Sequence, residues 1–244
     1  MKKILFILLS IALSACGIGA KKNKAEATAQ APLKIVVIED FSISQRKERR
    51  IDIYLMRELA DSVAKNGGSL AYGTIENHSF KPFEEFTIAE APPSPETQAS
   101  KNVFKRDAKA VKAKKMDSYS EDLKLKQTAD DTKMAQFLNA VQRRMKNTSK
   151  STRSDIHNAF TRASAIVCGP NVFRQKPRTY VIVASDLWDD WVGGDRRRFT
   201  GFACDLSCPM LVVGAQGAGN LELEQGAYLN LSSVGEAARY IFSH

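Results

Sequence analysis

The sequence predicts a doubly wound α/β fold: a mainly parallel sheet with helices on both faces. Three observations carry that expectation. Short apolar, β-branched runs recur at Lys34 to Glu39 (KIVVIE), Thr179 to Ala184 (TYVIVA) and Met210 to Val213. Such runs, without polar alternation, mark strands buried on both faces. Stretches with helical spacing of apolar residues separate them, and alternating strands and helices imply crossovers and parallel pairing.

The elements follow from the start of the chain. Met1-Lys2-Lys3 is a short positive segment, and Ile4 to Ala12 is an apolar run too short to span a bilayer stably. Together they predict a secretory signal. The run closes on Leu13-Ser14-Ala15-Cys16, which resembles the lipobox of bacterial lipoproteins: a branched apolar residue, two small residues, then cysteine. That resemblance implies a signal peptide over residues 1–15, cleavage before Cys16, and lipid on the Cys16 thiol and on the new amino group. Each buried methylene of such an anchor contributes about 0.8 kcal/mol. Gly17 occupies the position where Asp would signal inner-membrane retention in enterobacteria, so a Gram-negative host would anchor the chain in the outer membrane. Residues 16–32 are rich in Ala and Lys and read as a flexible tether, leaving residues 33–244 as one domain.

After the first strand, Arg46 to Ala64 carries an apolar stripe through Ile51, Tyr54, Leu55, Leu59 and Val63, ending at Asn66-Gly67-Gly68. Ser69 to Glu76 predicts a second strand and Glu85 to Ala89 a third, before the proline-rich break at Ala91 to Pro95. A basic helical insertion over about residues 97–150 follows, with a stripe through Met134, Phe137, Leu138, Val141 and Met145. Ser154 to Val167 predicts a helix, and Val234 to Phe242 a closing one.

Charge is localised. The net charge is +9, and Lys101 to Arg153 alone holds 15 Lys and Arg against 6 Asp and Glu. With few interleaved aromatics, this segment argues against nucleic acid as partner and for a solvated helix or weak contact with anionic lipid or acidic protein. Three cysteines remain beyond Cys16 — Cys168, Cys204 and Cys208 — so an exported chain would form one disulfide and keep one thiol, the pairing left open. The topology puts all three at the end of the sheet opposite the loops that follow the strands.

Ligands of doubly wound sheets bind beyond the carboxyl ends of the strands. There the chain places Asp40-Phe41-Ser42-Ile43-Ser44 after the first strand, Ser154 at a helix start, and Ser185-Asp186-Leu187 after a later strand. This order resembles the von Willebrand factor A domain and its metal-ion-dependent adhesion site. The resemblance implies Mg²⁺ or Mn²⁺ held by Asp40, Ser42, Ser44, Ser154 and Asp186, with an Asp or Glu of a protein partner completing the shell. Two departures stand out. Ser154 takes the place of the usual Thr, with Thr152 as a competing alignment, and Leu187 follows Asp186 where the family has Gly.

The enzyme alternative is a metal-dependent phosphohydrolase using Asp40, but Ser42 stands where that chemistry needs a second Asp. No G-x-S-x-G elbow, Walker loop or H-E-x-x-H is present. A metal-free structural lipoprotein of an envelope assembly is the other alternative. His157 reads as a solvated helix residue. Trp188 and Trp191 read equally as interface or core, and Arg196 to Arg198 as a solvated face.

Overall fold

A computed structural model of the chain describes residues 31–42, 50–77, 81–90, 108–148, 154–187, 198–199, 208–214, 222–223 and 228–244. Strand β1 (Leu33–Asp40) leads to helix α1 (Ile53–Asn66), β2 (Gly68–Ile75), β3 (Glu84–Ile88) and the long helix α2 (Ala108–Asn147). There follow α3 (Ile156–Val167), β4 (Arg178–Ala184), β5 (Arg198–Phe199), β6 (Met210–Val213), β7 (Glu222–Leu223), β8 (Tyr228–Leu231) and α4 (Val234–Ser243). The six-stranded sheet has the order β3-β2-β1-β4-β6-β8. Every pairing in it is parallel except that of β2 with β3. The expected α/β class with a mainly parallel sheet is therefore present.

The apolar runs form the middle of this sheet because both faces are covered, so no polar alternation is needed. Side chains alternate across a strand. Leu33, Ile35 and Val37 pack with α1, α4 and the end of α2, whereas Val36 and Ile38 pack against α3. Asp40 shares the parity of Val36 and Ile38, which sets it on the α3 face.

The helices refine three expectations. Helix α1 starts at Ile53, not Arg46, because Asp52 caps it: its carboxylate accepts the Leu55 N–H at 2.8 Å. The buried stripe is Met56, Leu59, Ala60 and Val63, while Tyr54 is 77% exposed. Helix α1 ends on Gly67 and Gly68, with φ of 76° and 138°, and a Cβ on Gly68 would meet the Leu33 carbonyl oxygen at 1.9 Å. Only glycine permits that close passage.

Helix α2 is one 40-residue helix with two different halves. Phe137, Leu138 and Val141 are buried in the core with Met134 and Met145 packed beside them, so the last turns are structural and only the earlier ones are insertion-like. Phe137 meets Phe86 of β3 with ring centroids 4.8 Å apart. Among the described residues no helix is long and apolar enough to cross a membrane.

Strand β8 was not anticipated. Its outer residues Tyr228 and Leu231 are half-buried and the two between are exposed, at the sheet edge where apolar periodicity is weakest. Residues 1–30, and with them the signal segment, Cys16 and most of the tether, lie outside the described residues, as do Trp188, Trp191, Arg196 and Arg197.

The amino end of the sheet holds the cysteine chemistry. Cys168, just past α3, is disulfide-bonded, whereas Cys208 remains a thiol; Cys204 lies outside the described residues. Lys34 reaches across to donate from Nζ to the Val167 carbonyl at 3.0 Å, a cation on the C-terminal turn of α3. Burial lowers its pKa, and the neighbouring Cys208 and Glu85 oppose that shift.

Candidate metal centre at the carboxyl end of the sheet

Strand order reverses between β1 and β4, and the crevice beyond their carboxyl ends is where such sheets bind ligands. Glu39 pairs with Ala184, so Asp40 stands level with Ser185. Backbone bonds hold both exits: Phe41 N–H donates to the Ile75 carbonyl and Ser185 N–H to the Val213 carbonyl, each at 3.2 Å.

Asp40 is fully buried, and its carboxylate is the hub. Oδ1 accepts the Ser42 backbone N–H at 2.7 Å, and Oδ2 accepts the Ser185 hydroxyl at 2.9 Å. The Ser154 hydroxyl lies 3.4 and 3.5 Å from the two oxygens. Ser154 arrives there because Asp155, not Ser154, caps α3, accepting the Asn158 N–H on Oδ1 at 3.4 Å. The Asp155 N–H donates to the Glu76 carbonyl at 3.0 Å, tying this helix start to the end of β2.

Asp186, half-buried, brings the second carboxylate. Burial pushes the Asp40 carboxyl above its ordinary range and the negative charge of Asp186 adds to the push, while hydrogen bonds from Ser42 and Ser185 pull it back. Of the five sequence-predicted ligands, Asp40, Ser42, Ser154 and Asp186 come together at this end; Ser44 lies outside the described residues.

The donor set consists of oxygens alone. Among the described residues no group of three His, Cys, Asp or Glu side chains could hold a metal, so an ion here would rest on two carboxylates supplemented by hydroxyls. That chemistry fits Mg²⁺ or Mn²⁺, hard ions that take oxygen ligands and one or two carboxylates. Two negative charges drawn into a shielded crevice are also relieved by a cation.

Two features were not read as site residues from sequence. Ser185 passes a hydroxyl hydrogen to Asp40 and accepts the Leu187 N–H at 3.0 Å, so one side chain fixes both carboxylate and loop. Leu187 adopts φ of 60°, the left-handed region glycine favours, with its side chain 4% exposed. The backbone at Leu187 is therefore glycine-like despite the leucine. His157, expected as a solvated residue, is half-buried, with Nδ1 shielded and unpartnered among the described residues.

On the other face of β1, Glu39 forms a separate buried cluster. It accepts the Tyr72 hydroxyl at 2.6 Å and the Ile51 N–H at 3.2 Å, with Arg50 at 3.5 Å. Burial raises its pKa to about 7 against those three partners. No protein-family model matches the chain, and the search of curated proteins found no significant match.

Proposed function

We propose that this chain is a bacterial lipoprotein, lipidated at Cys16, whose von Willebrand A-like domain binds an acidic residue of a protein partner through Mg²⁺ or Mn²⁺. The anchor would hold it in the cell envelope, in the outer membrane facing the periplasm. The observation that carries the reading is the meeting of Asp40, Ser42, Ser154 and Asp186 at the switch between β1 and β4. Ser42 and Ser154 would supply neutral oxygens, and Asp40 and Asp186 would hold the ion mainly through its waters. A bound ion would supply an electron-poor coordination position for a partner's carboxylate oxygen. In this reading the chain's own residues orient and shield that position and catalyse no reaction.

The test is calorimetric titration of Mg²⁺ and Mn²⁺ into the full chain beside an Asp40→Ala variant. Saturable heat in the wild type that disappears in the variant is the expected result. A folded wild type giving no heat, even with acetate added as a stand-in for the partner's carboxylate, would sink the metal reading. The metal-free scaffold would then take its place, favoured by the fact that Asp40 already receives hydrogen bonds from Ser42 and Ser185.

A further inference from the structure

The amino end of the sheet gathers a thiol, a disulfide and a buried cation on one face. Lys34 of β1 stands level with Thr179 of β4. Met210 of β6 stands level with Val181, and just before the strand the Val181 N–H donates to the Pro209 carbonyl at 3.2 Å. Carried two residues back, that register sets Cys208 level with Thr179. Lys34, Thr179 and Cys208 thus form one row across three neighbouring strands. Side chains alternate along a strand, so the row shares its face with Val36, Val181 and Met210, which pack on the α3 side.

Cys208 remains a thiol, half-buried against the cluster that includes Val167 at the end of α3. The residue after Val167, Cys168, is exposed and disulfide-bonded, its partner sulfur lying outside the described residues. Lys34 serves both places. Its Nζ donates to the Val167 carbonyl at 3.0 Å, and its charge reaches Cys208 as well as Glu85 on β3. Lys34 is only 9% exposed, so solvent ions screen that charge poorly.

A cation beside a thiol favours the thiolate, which is the form that attacks disulfides, and exposed disulfides are the labile ones. The two ends of the bond differ as leaving groups. Cys168 closes the C-terminal turn of α3, where the carbonyl end of the helix dipole disfavours a thiolate. Attack at Cys168 Sγ expels the partner sulfur instead.

We propose that Cys208 exchanges with the Cys168 disulfide inside the folded chain, giving the amino end of the sheet two alternative cross-links. Cys208 Sγ, having given up its proton, forms a bond to Cys168 Sγ as the original S–S bond breaks. The electron pair leaves on the partner sulfur, which takes up a proton. One disulfide and one thiol stand before and after, and no oxidant or reductant is consumed. The new cross-link ties the entry of β6 to the end of α3, and the reactive thiol passes to the partner cysteine. Lys34 is a positioning residue in this step: it holds the end of α3 and supplies positive charge at Cys208. The inference does not need a metal at Asp40.

The experiment moves the oxidised full chain from mildly acid to mildly alkaline native buffer, with chelator and no added thiol. Samples are alkylated with N-ethylmaleimide at intervals, and their disulfide-linked peptides are mapped by mass spectrometry. A peptide pair joining Cys168 to Cys208 is expected to grow beside the original pair until their ratio is constant. Alkylation should pass from Cys208 to the original partner in step. Lys34→Met should slow the growth about threefold or more, and Lys34→Arg should restore it, with circular dichroism of both unchanged. Should Lys34→Met unfold, the wild-type map decides the exchange by itself. The original pairing persisting throughout, with Cys208 fully alkylated, overturns the proposal. Exchange that appears only in urea, or only as cross-links between two chains, overturns it equally. Equal rates in wild type and a folded Lys34→Met overturn the role given to Lys34.

Discussion

Leu187 occupies a backbone region that costs an L-residue with a Cβ about 1–2 kcal/mol. What maintains it is the Ser185 hydroxyl on its N–H and a buried side chain packed in the α3-side core. Removing the side chain while keeping the Cβ discards the packing and retains the strain; removing both discards the two together. Leu187→Gly should therefore be more stable than Leu187→Ala by about 1 kcal/mol in urea unfolding, although both fall below wild type. Equal stabilities would show that the left-handed backbone is not strained. Glu39 offers a second test at this scale. Its folded pKa of about 7 exceeds the ordinary 4.5, so the folded state holds a proton that the unfolded state releases. Stability must then fall as pH rises from about 4.5 to about 7, by at most about 3 kcal/mol. Glu39→Gln, which keeps an oxygen for Tyr72, should flatten that slope in denaturant midpoints measured across the window.

Helix α2 divides into a half that holds the fold and a half that does not. Phe137 is 4% exposed against Phe86, whereas Leu125 is 71% exposed. Phe137→Ala should cost about 3–5 kcal/mol, and Leu125→Ala should stay within about 0.5 kcal/mol, both read from thermal or urea unfolding. The stripe from Met134 to Met145 was legible from its helical spacing, but the sequence alone put all of residues 97–150 in one insertion, because a stripe does not say which core it joins. The buried strands β1, β4 and β6 were legible for the same kind of reason, each being an unbroken β-branched run. Strand β8 was not, since an edge strand of four residues has no face that must be apolar. The start of α1 was misplaced because the charged residues from Arg46 to Arg50 suit a helix as well as a loop, and only the Asp52 cap decides. At the site, Asp40, Ser154 and Asp186 were legible from motif order. Ser185 was not, because its role arises from a contact 145 residues away along the chain.

The molecule as a whole keeps its covalent reinforcement and its candidate site at opposite ends of one sheet. Helix α3 connects them: Ser154 stands just before its first turn and Cys168 just after its last. Twelve helical residues separate the two by about 18 Å. At the amino end, the Cys168 disulfide and the Lys34 contact to Val167 fix where α3 finishes. At the carboxyl end, Asp40 and Ser185 are fixed independently, by the β1–β4 register and by bonds to Ile75 and Val213. Breaking the disulfide should therefore act on global stability without rearranging the oxygens around Asp40. Mild reduction is expected to lower unfolding stability by about 2–4 kcal/mol, measured by urea midpoints with and without reductant. Below the unfolding transition, any Mg²⁺ affinity seen in the oxidised chain should persist within about twofold after reduction, since sites without shared partners act nearly independently. A large loss of affinity with the fold intact would mean that the position of α3, and through it Ser154, is set from the disulfide end. The carboxyl-end geometry would then be a property of the whole layer and not of the switch point alone.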